Sequence, residues 1–193
     1  MAVHQTVLQL GPLDQGRTVT AEEFAEAESD RPWKYEREQG RLVVMPPDDP
    51  GHDRSSEPVR DYLGAYRLAH LDLVEEVVSA AWVRVDGGTD RIGDIGVFLV
   101  GIRSAVSRPD RGPELMFEVV SPDRESRERD YVKKRKEYRQ LGVLEYVIID
   151  RIRHRVTVYT TSPRGYQERV LRPGDVYTSP LLPELVIPLR GIP

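Results

Sequence analysis

The stretch Glu114–Asp150, ELMFEVVSPDRESRERDYVKKRKEYRQLGVLEYVIID, decides the fold. The apolar run Leu115-Met116-Phe117 leads through Glu118 into Val119-Val120. Ser121-Pro122-Asp123 is a polar turn, and the charged segment from Arg124 to Gln140 is helical in character. Leu141-Gly142 stops that helix, and a second apolar run, Val143 to Ile149, ends at Asp150. A strand, a helix and a strand in this order predict two parallel neighbours in a buried sheet.

Glu118 breaks the pattern. Carboxylates are depleted from strands, and a buried charge is costly unless it is paired or holds a metal. Strand alternation turns Phe117 and Val119 to one face and Glu118 and Val120 to the other. Asp130, Lys134 and Tyr138 follow one another at i, i+4 and i+8 on one face of the helix. A crossover helix lies back over its sheet, so this face is expected to meet the strand end that carries Glu118.

Outward from this unit the elements are shorter. Met1 to Arg17 has no periodicity and is expected to be a flexible tail. Thr20-Ala21-Glu22-Glu23 is a capping box opening a short helix to about Glu28. Trp33–Glu38 and Arg41–Met45 predict a hairpin across Gln39-Gly40. Asp48–Gly51 reads as loop and Glu57–Leu71 as an amphipathic helix with Val59, Tyr62, Leu63 and Tyr66 on one face. Ala81–Val85 and Ile92–Val100 predict two paired strands, the second containing Asp94. Ile102–Gly112 is a loop. Arg155–Thr160 and Tyr166–Leu171 form a further hairpin, and the tail with Pro173, Pro180, Pro183 and Pro188 is expected to run as turns and short extended pieces.

Composition narrows the classes. At 193 residues the chain suits a single domain, expected over 18–189. It has no cysteine, hence no disulfide and no thiolate metal site, which suits the cytoplasm. No run approaches the roughly 18 apolar residues of a membrane span, and no basic-then-apolar leader opens the sequence. A net charge of −4 gives no global attraction to nucleic acid. The exception is Arg124–Arg139, with eight basic and four acidic residues, a candidate phosphate-contacting surface or an ordinary solvated helix. There is no HExxH, GxSxG or P-loop.

If the strands bearing Asp94 and Glu118 are neighbours, their carboxylates come within reach of one ion. Two carboxylates and waters suit Mg²⁺, with Mn²⁺ as substitute. A lysine beside them orients a water or offsets charge on a pentavalent phosphate. Each residue also has a plainer reading. Glu118 pairs with a core cation, Asp94 caps the bend at Gly93, and Lys134 belongs to a solvated charge run. Asp130 is a salt-bridge partner of Lys134, Tyr138 is core packing, Glu36 is a strand-edge charge, and His52 has a helix-end role.

The element order helix-strand-strand-strand-helix-strand resembles the core of the PD-(D/E)XK nuclease superfamily. More closely, the chain resembles the bacterial Uma-two family of restriction-endonuclease-like proteins over roughly Thr18 to Leu189. The resemblance is carried by Thr20-Ala21-Glu22-Glu23-Phe24, Tyr35-Glu36, Gly40-Arg41-Leu42-Val43-Val44-Met45-Pro46-Pro47 and His52. It continues through Asp94-Ile95, Phe117-Glu118-Val119-Val120-Ser121-Pro122, Asp130, Lys134 and Tyr138. Gly142-Val143, Glu145-Tyr146, Asp150, Gly174-Asp175 and Ser179-Pro180-Leu181-Leu182-Pro183 complete it. It implies an α/β (α+β) fold, a restriction-endonuclease-like core with a central mixed β-sheet flanked by helices and added N- and C-terminal β-hairpins.

The resemblance also implies a metal-dependent endonuclease acting on nucleic acid, DNA first, as a homodimer. By resemblance Asp94 and Glu118 are the metal acids, with the Val119 carbonyl as a further ligand. Glu36 is an additional acid, and Lys134 is the family's displaced lysine. Three departures stand out. Val120 occupies the superfamily's lysine position, Gly93 replaces the proline before Asp94, and Arg37-Glu38 replaces apolar residues after Tyr35-Glu36. Two other classes stay open. One is a non-catalytic binding member of the same fold; the other is a carboxylate-pair glycosidase, for which Trp33 and Trp82 supply little aromatic lining.

Overall fold

The structure, a computed structural model, describes residues 7–102 and 109–190. By contacts the chain forms two compact units, one of Met1–Pro47 with Trp82–Ile92, the other of Asp48–Ala81 with Gly93–Pro193.

In the first unit, strand β1 (Gln9–Leu10) precedes helix α1 (Ala21–Glu26), which leads into β2 (Glu28–Ser29), β3 (Lys34–Glu38) and β4 (Arg41–Met45). The capping box forms as expected: Thr20 Oγ1 accepts from the Glu23 amide at 3.1 Å and Glu23 Oε2 from the Thr20 amide at 2.8 Å. β3 and β4 pair antiparallel across Gln39-Gly40, whose φ angles of 51° and 77° are those of a two-residue hairpin turn. The expectation of a flexible tail over 1–17 is corrected from residue 7 onward. β1 pairs in parallel with β2, Leu10 is buried beside Val19, Tyr35 and Leu42, and the Gly16 amide donates to Leu42 O at 2.8 Å. A two-residue strand has no period to read, so backbone bonds and one buried leucine do what no pattern announces. Residues 1–6 lie outside the described residues.

The second unit opens with α2 (Pro50–Ala69), which begins at Pro50 rather than Glu57. The Asp49 carboxylate accepts from the Gly51 and His52 amides, and Pro50 takes the first helical position, where no amide is needed. Val59, Leu63 and Tyr66 are buried, whereas Tyr62 turns outward at 42% exposure. Strands β5 (Val74–Asp86) and β6 (Thr89–Leu99) form a longer hairpin than expected, and each passes from one unit to the other. They are followed by β7 (Leu115–Val119), the helical segment α3 (Arg124–Glu128), a π-helical turn (Arg129–Lys134) and α4 (Arg135–Leu141). Strands β8 (Glu145–Asp150), β9 (Arg155–Ser162) and β10 (Gly165–Leu171) complete a mixed sheet in the order β10-β9-β8-β7-β6.

β7 runs parallel to β8 and antiparallel to β6, which is the strand-helix-strand unit the sequence predicts. The proline-rich tail is more regular than expected. It forms the antiparallel pair β11 (Val176–Ser179) and β12 (Leu182–Pro188), because Tyr177, Leu182, Leu185 and Ile187 bury into the core shared by Val59, Leu63, Ile95, Phe117 and Val147. Among the described residues no helix is long and apolar enough to cross a membrane.

The segment carrying Lys134 ends on Gly142 at φ 82° and ψ 26°, a left-handed position that a side chain resists. Gly142→Ala is expected to cost about 1–2 kcal/mol, read as a lower urea midpoint at unchanged m-value.

Candidate active site

β6 and β7 pair with Ile95 opposite Phe117, so the next residues along, Asp94 and Glu118, lie on neighbouring strands and share a face. That face is opposite the one on which Ile95, Phe117 and Val119 join the apolar core. The sequence brings a carboxylate here because the apolar residues on both sides of it bury the strand regardless.

Glu118 is buried and held at one oxygen. Lys134 Nζ donates to Oε1 at 2.9 Å and the Tyr138 hydroxyl donates to the same oxygen at 2.8 Å. Asp130 Oδ1 lies 4.0 Å from Lys134 Nζ, so the lysine stands between two carboxylates. The register of Asp130, Lys134 and Tyr138 therefore meets Glu118, although the helix is not regular. Residues Arg129–Lys134 are a π-helical turn, and the Tyr146 hydroxyl donates to the Asp130 carbonyl within it at 3.0 Å. Such turns insert one residue into a helix and often lie at functional sites.

On the other strand, Asp94 Oδ2 accepts from the Val119 amide at 2.8 Å and lies 3.0 Å from His52 Nε2. His52 Nδ1 lies 3.6 Å from Asp48 Oδ2. Asp48, His52 and Asp53 also bring ligand atoms within 4.8 Å of one another at the start of α2.

Burial, opposed by Lys134 and reinforced by Asp94 and Asp130, raises the Glu118 carboxyl to about 8. Desolvation outweighs the single cation because a charged carboxylate inside the sheet loses its hydration. This is the signature of a site built around opposed charges. The donor set is hard oxygen from adjacent strands with carboxylates in excess of cations. It fits a divalent ion of the Mg²⁺ type better than a soft metal.

Val120, where the resemblance implies a lysine, is fully buried, and the cation at Glu118 is Lys134 from the helical segment. Gly93 also has a local reason: a Cβ there would lie 2.1 Å from Met116 Sδ. Glu36 sits in the first unit, on β3, fully buried. Its carboxylate accepts from Arg91 Nη1 at 3.2 Å and from the Ile92 amide at 3.0 Å. The Arg37 that departs from the family pattern is buried too, with Nε 2.7 Å from Asp90 Oδ2.

Two contacts add to the sequence reading. Tyr138 is buried and packs edge-on against Tyr146, as core packing requires, and its hydroxyl also reaches Glu118, as its i+8 relation to Asp130 allows. His52, read as a helix-end residue, reaches Asp94. The signal is the Asp49-Pro50 pair, which starts α2 early enough to put His52 in its first turn.

A profile of the family described as "Uma2: Putative restriction endonuclease" matches residues 21–190. Among solved structures, one described as a "putative nuclease belonging to DUF820" from Anabaena variabilis is similar, with a TM-score of 0.70 and 18% identity. The match covers 90% of this chain and 97% of that one. Comparison with curated proteins gives no significant match.

Proposed function

Since the chain belongs to the Uma2 family of restriction-endonuclease-like proteins, we propose that it is a Mg²⁺-dependent endonuclease hydrolysing phosphodiester bonds, with DNA as substrate. The observation that carries this reading is Lys134 Nζ at 2.9 Å from the buried Glu118, beside Asp94 on the adjacent strand. In it, residues 18–189 act as one nuclease domain in the cytoplasm, and two copies supply one site for each strand of a duplex.

Asp94 and Glu118 are the residues that would hold the ion, with the Val119 carbonyl as a third oxygen. When bound, Mg²⁺ supplies Lewis-acid polarisation of a phosphoryl oxygen and a more acidic water. The chain's own groups do the rest. Lys134 offers an N–H donor and a positive charge where the attacked phosphate becomes more negative. Tyr138 holds Glu118 Oε1 and thereby its orientation. The family resemblance assigns Glu36 the role of a further acid. The exposed Arg124, Lys133, Lys136 and Arg139 offer a phosphate-contacting face along the segment that presents Lys134.

Incubation with supercoiled plasmid and with single-stranded oligonucleotides, in Mg²⁺ and then in excess EDTA, tests the function. Cleavage abolished by EDTA is the expected result. Salt-sensitive binding with no cleavage in Mg²⁺ or Mn²⁺ would favour the second reading, a non-catalytic nucleic-acid- or protein-binding member. The net charge of −4 and the buried Val120 where the resemblance implies a lysine support that alternative.

The raised Glu118 pKa fixes the pH dependence. Below about 8 the carboxyl holds a proton that a cation must displace. Mn²⁺ affinity is therefore expected to rise with pH, about tenfold per unit between pH 6 and 8, and to level off above. Titration of free Mn²⁺ by electron paramagnetic resonance measures it, and a flat profile would contradict the displaced proton.

A further inference from the structure

His52 lies in the first turn of the 20-residue α2 and is buried. Both ring nitrogens lie near carboxylates: Nε2 is 3.0 Å from Asp94 Oδ2 and Nδ1 is 3.6 Å from Asp48 Oδ2. Asp94 Oδ2 also takes the Val119 amide at 2.8 Å. Groups from α2 and β7 thus converge on one oxygen of a carboxylate carried by β6.

We infer that His52 is a positioning residue for Asp94: its Nε2–H and the Val119 amide together fix the carboxylate plane. The inference rests on the reading of Asp94 as a metal ligand. A carboxylate on a strand retains rotation about its own bonds, and a ligand that must find its orientation binds more weakly. Two donors on Oδ2 remove that freedom.

The imidazole is itself held by what surrounds it. The Asp49 carboxylate caps the helix through the Gly51 and His52 amides, at 2.7 and 3.0 Å from Oδ1. Arg151, just after β8, pairs with the other oxygen of Asp49. Gly51 permits that approach, since a Cβ there would lie 2.3 Å from Arg151 Nη1. The turn after β8 thus anchors the helix end that carries His52, and His52 orients a residue of β6.

Two variants of the 193-residue chain test this, His52→Ala and His52→Gln. The glutamine amide places an N–H close to the position of Nε2. Hydrogen exchange at the Val119 amide, followed by nuclear magnetic resonance in metal-free protein, reads the carboxylate's position without activity. Mn²⁺ titration reads its consequence. In His52→Ala the Val119 amide is expected to exchange about tenfold faster, with Mn²⁺ affinity about 10–100-fold weaker. His52→Gln is expected to restore both.

Unchanged Val119 exchange in both variants would overturn the inference. So would a glutamine variant that protects Val119 yet binds Mn²⁺ as poorly as the alanine variant, since the imidazole would then be a ligand itself. A wild-type chain that takes up no Mn²⁺ while Val119 still responds in the expected order would sustain the positioning role and remove the metal-dependent reading instead.

Discussion

Glu118→Gln is expected to stay folded and to lose cleavage by more than about 10³-fold. The substitution keeps the shape of a buried side chain and keeps an oxygen for Lys134 and Tyr138, which donate to Oε1 at 2.9 and 2.8 Å. It removes the group that can become a charged ligand. Because burial raises the Glu118 carboxyl to about 8, the neutral amide resembles the protonated acid present at neutral pH. The melting temperatures of the two proteins should therefore be closest below about pH 4.5, where the unfolded wild-type chain also keeps its proton. Their order follows from the sign of the shift. The folded wild type holds a proton that its unfolded chain releases near 4.5, so its stability falls as pH rises from there to about 8. The glutamine variant has no such loss and should gain relative to wild type over that window. Plasmid cleavage and thermal melts from pH 6 to 9 measure both effects. Cleavage at the wild-type rate would remove Glu118 from the chemistry.

Lys134→Met is expected to slow cleavage about 10²–10³-fold, with a different pH signature. Lys134 is the influence that lowers the Glu118 carboxyl, while burial, Asp94 and Asp130 raise it. Without the lysine, Glu118 keeps its proton to higher pH. The stability difference between wild type and variant should then widen above pH 8, by about 1.4 kcal/mol per pH unit, until the variant's own carboxyl ionises. Removing one member of a buried pair commonly costs about 3–5 kcal/mol, and the cost is smaller at neutral pH, where Glu118 already holds its proton. Urea unfolding between pH 6 and 10 reads the difference, and a constant gap would mean that Lys134 does not govern Glu118.

The parts of the fold that were legible are those where many residues agree. Leu115–Val119 and Glu145–Asp150 are apolar enough to require a buried sheet, and the charged helix between them forces the parallel pairing that is observed. Glu118 was visible because a single acid contradicted that burial. Lys134 was visible because its spacing from Asp130 and Tyr138 still places all three around Glu118 across the π-helical turn. The turn itself has no mark in the sequence. It depends on tertiary partners such as the Tyr146 hydroxyl on the Asp130 carbonyl.

Other features were hidden for separate reasons. The first half of β5, Val74–Ala80, follows the buried Val74 with exposed and half-buried residues and carries Glu75 and Glu76, so it shows no clean alternation. The start of α2 lies in Pro46-Pro47-Asp48-Asp49-Pro50, where prolines suggest a loop; Pro50 instead occupies the first helical position. That early start puts His52 in the first turn of α2, where its ring reaches Asp94. Glu36 was seen as an acid on a strand, but its partner Arg91 is 55 residues away in the chain, and no local pattern announces it.

Because the substrate is itself a proposal, the central claim is best tested without one. Crystals grown at pH 8.5, above the titration of Glu118, and soaked in Mn²⁺ would reveal the ion by its anomalous scattering. The account predicts a peak bound by the carboxylates of both Asp94 and Glu118. A peak confined to Asp48, His52 and Asp53, or no peak with Glu118 still held by Lys134 and Tyr138, would contradict it.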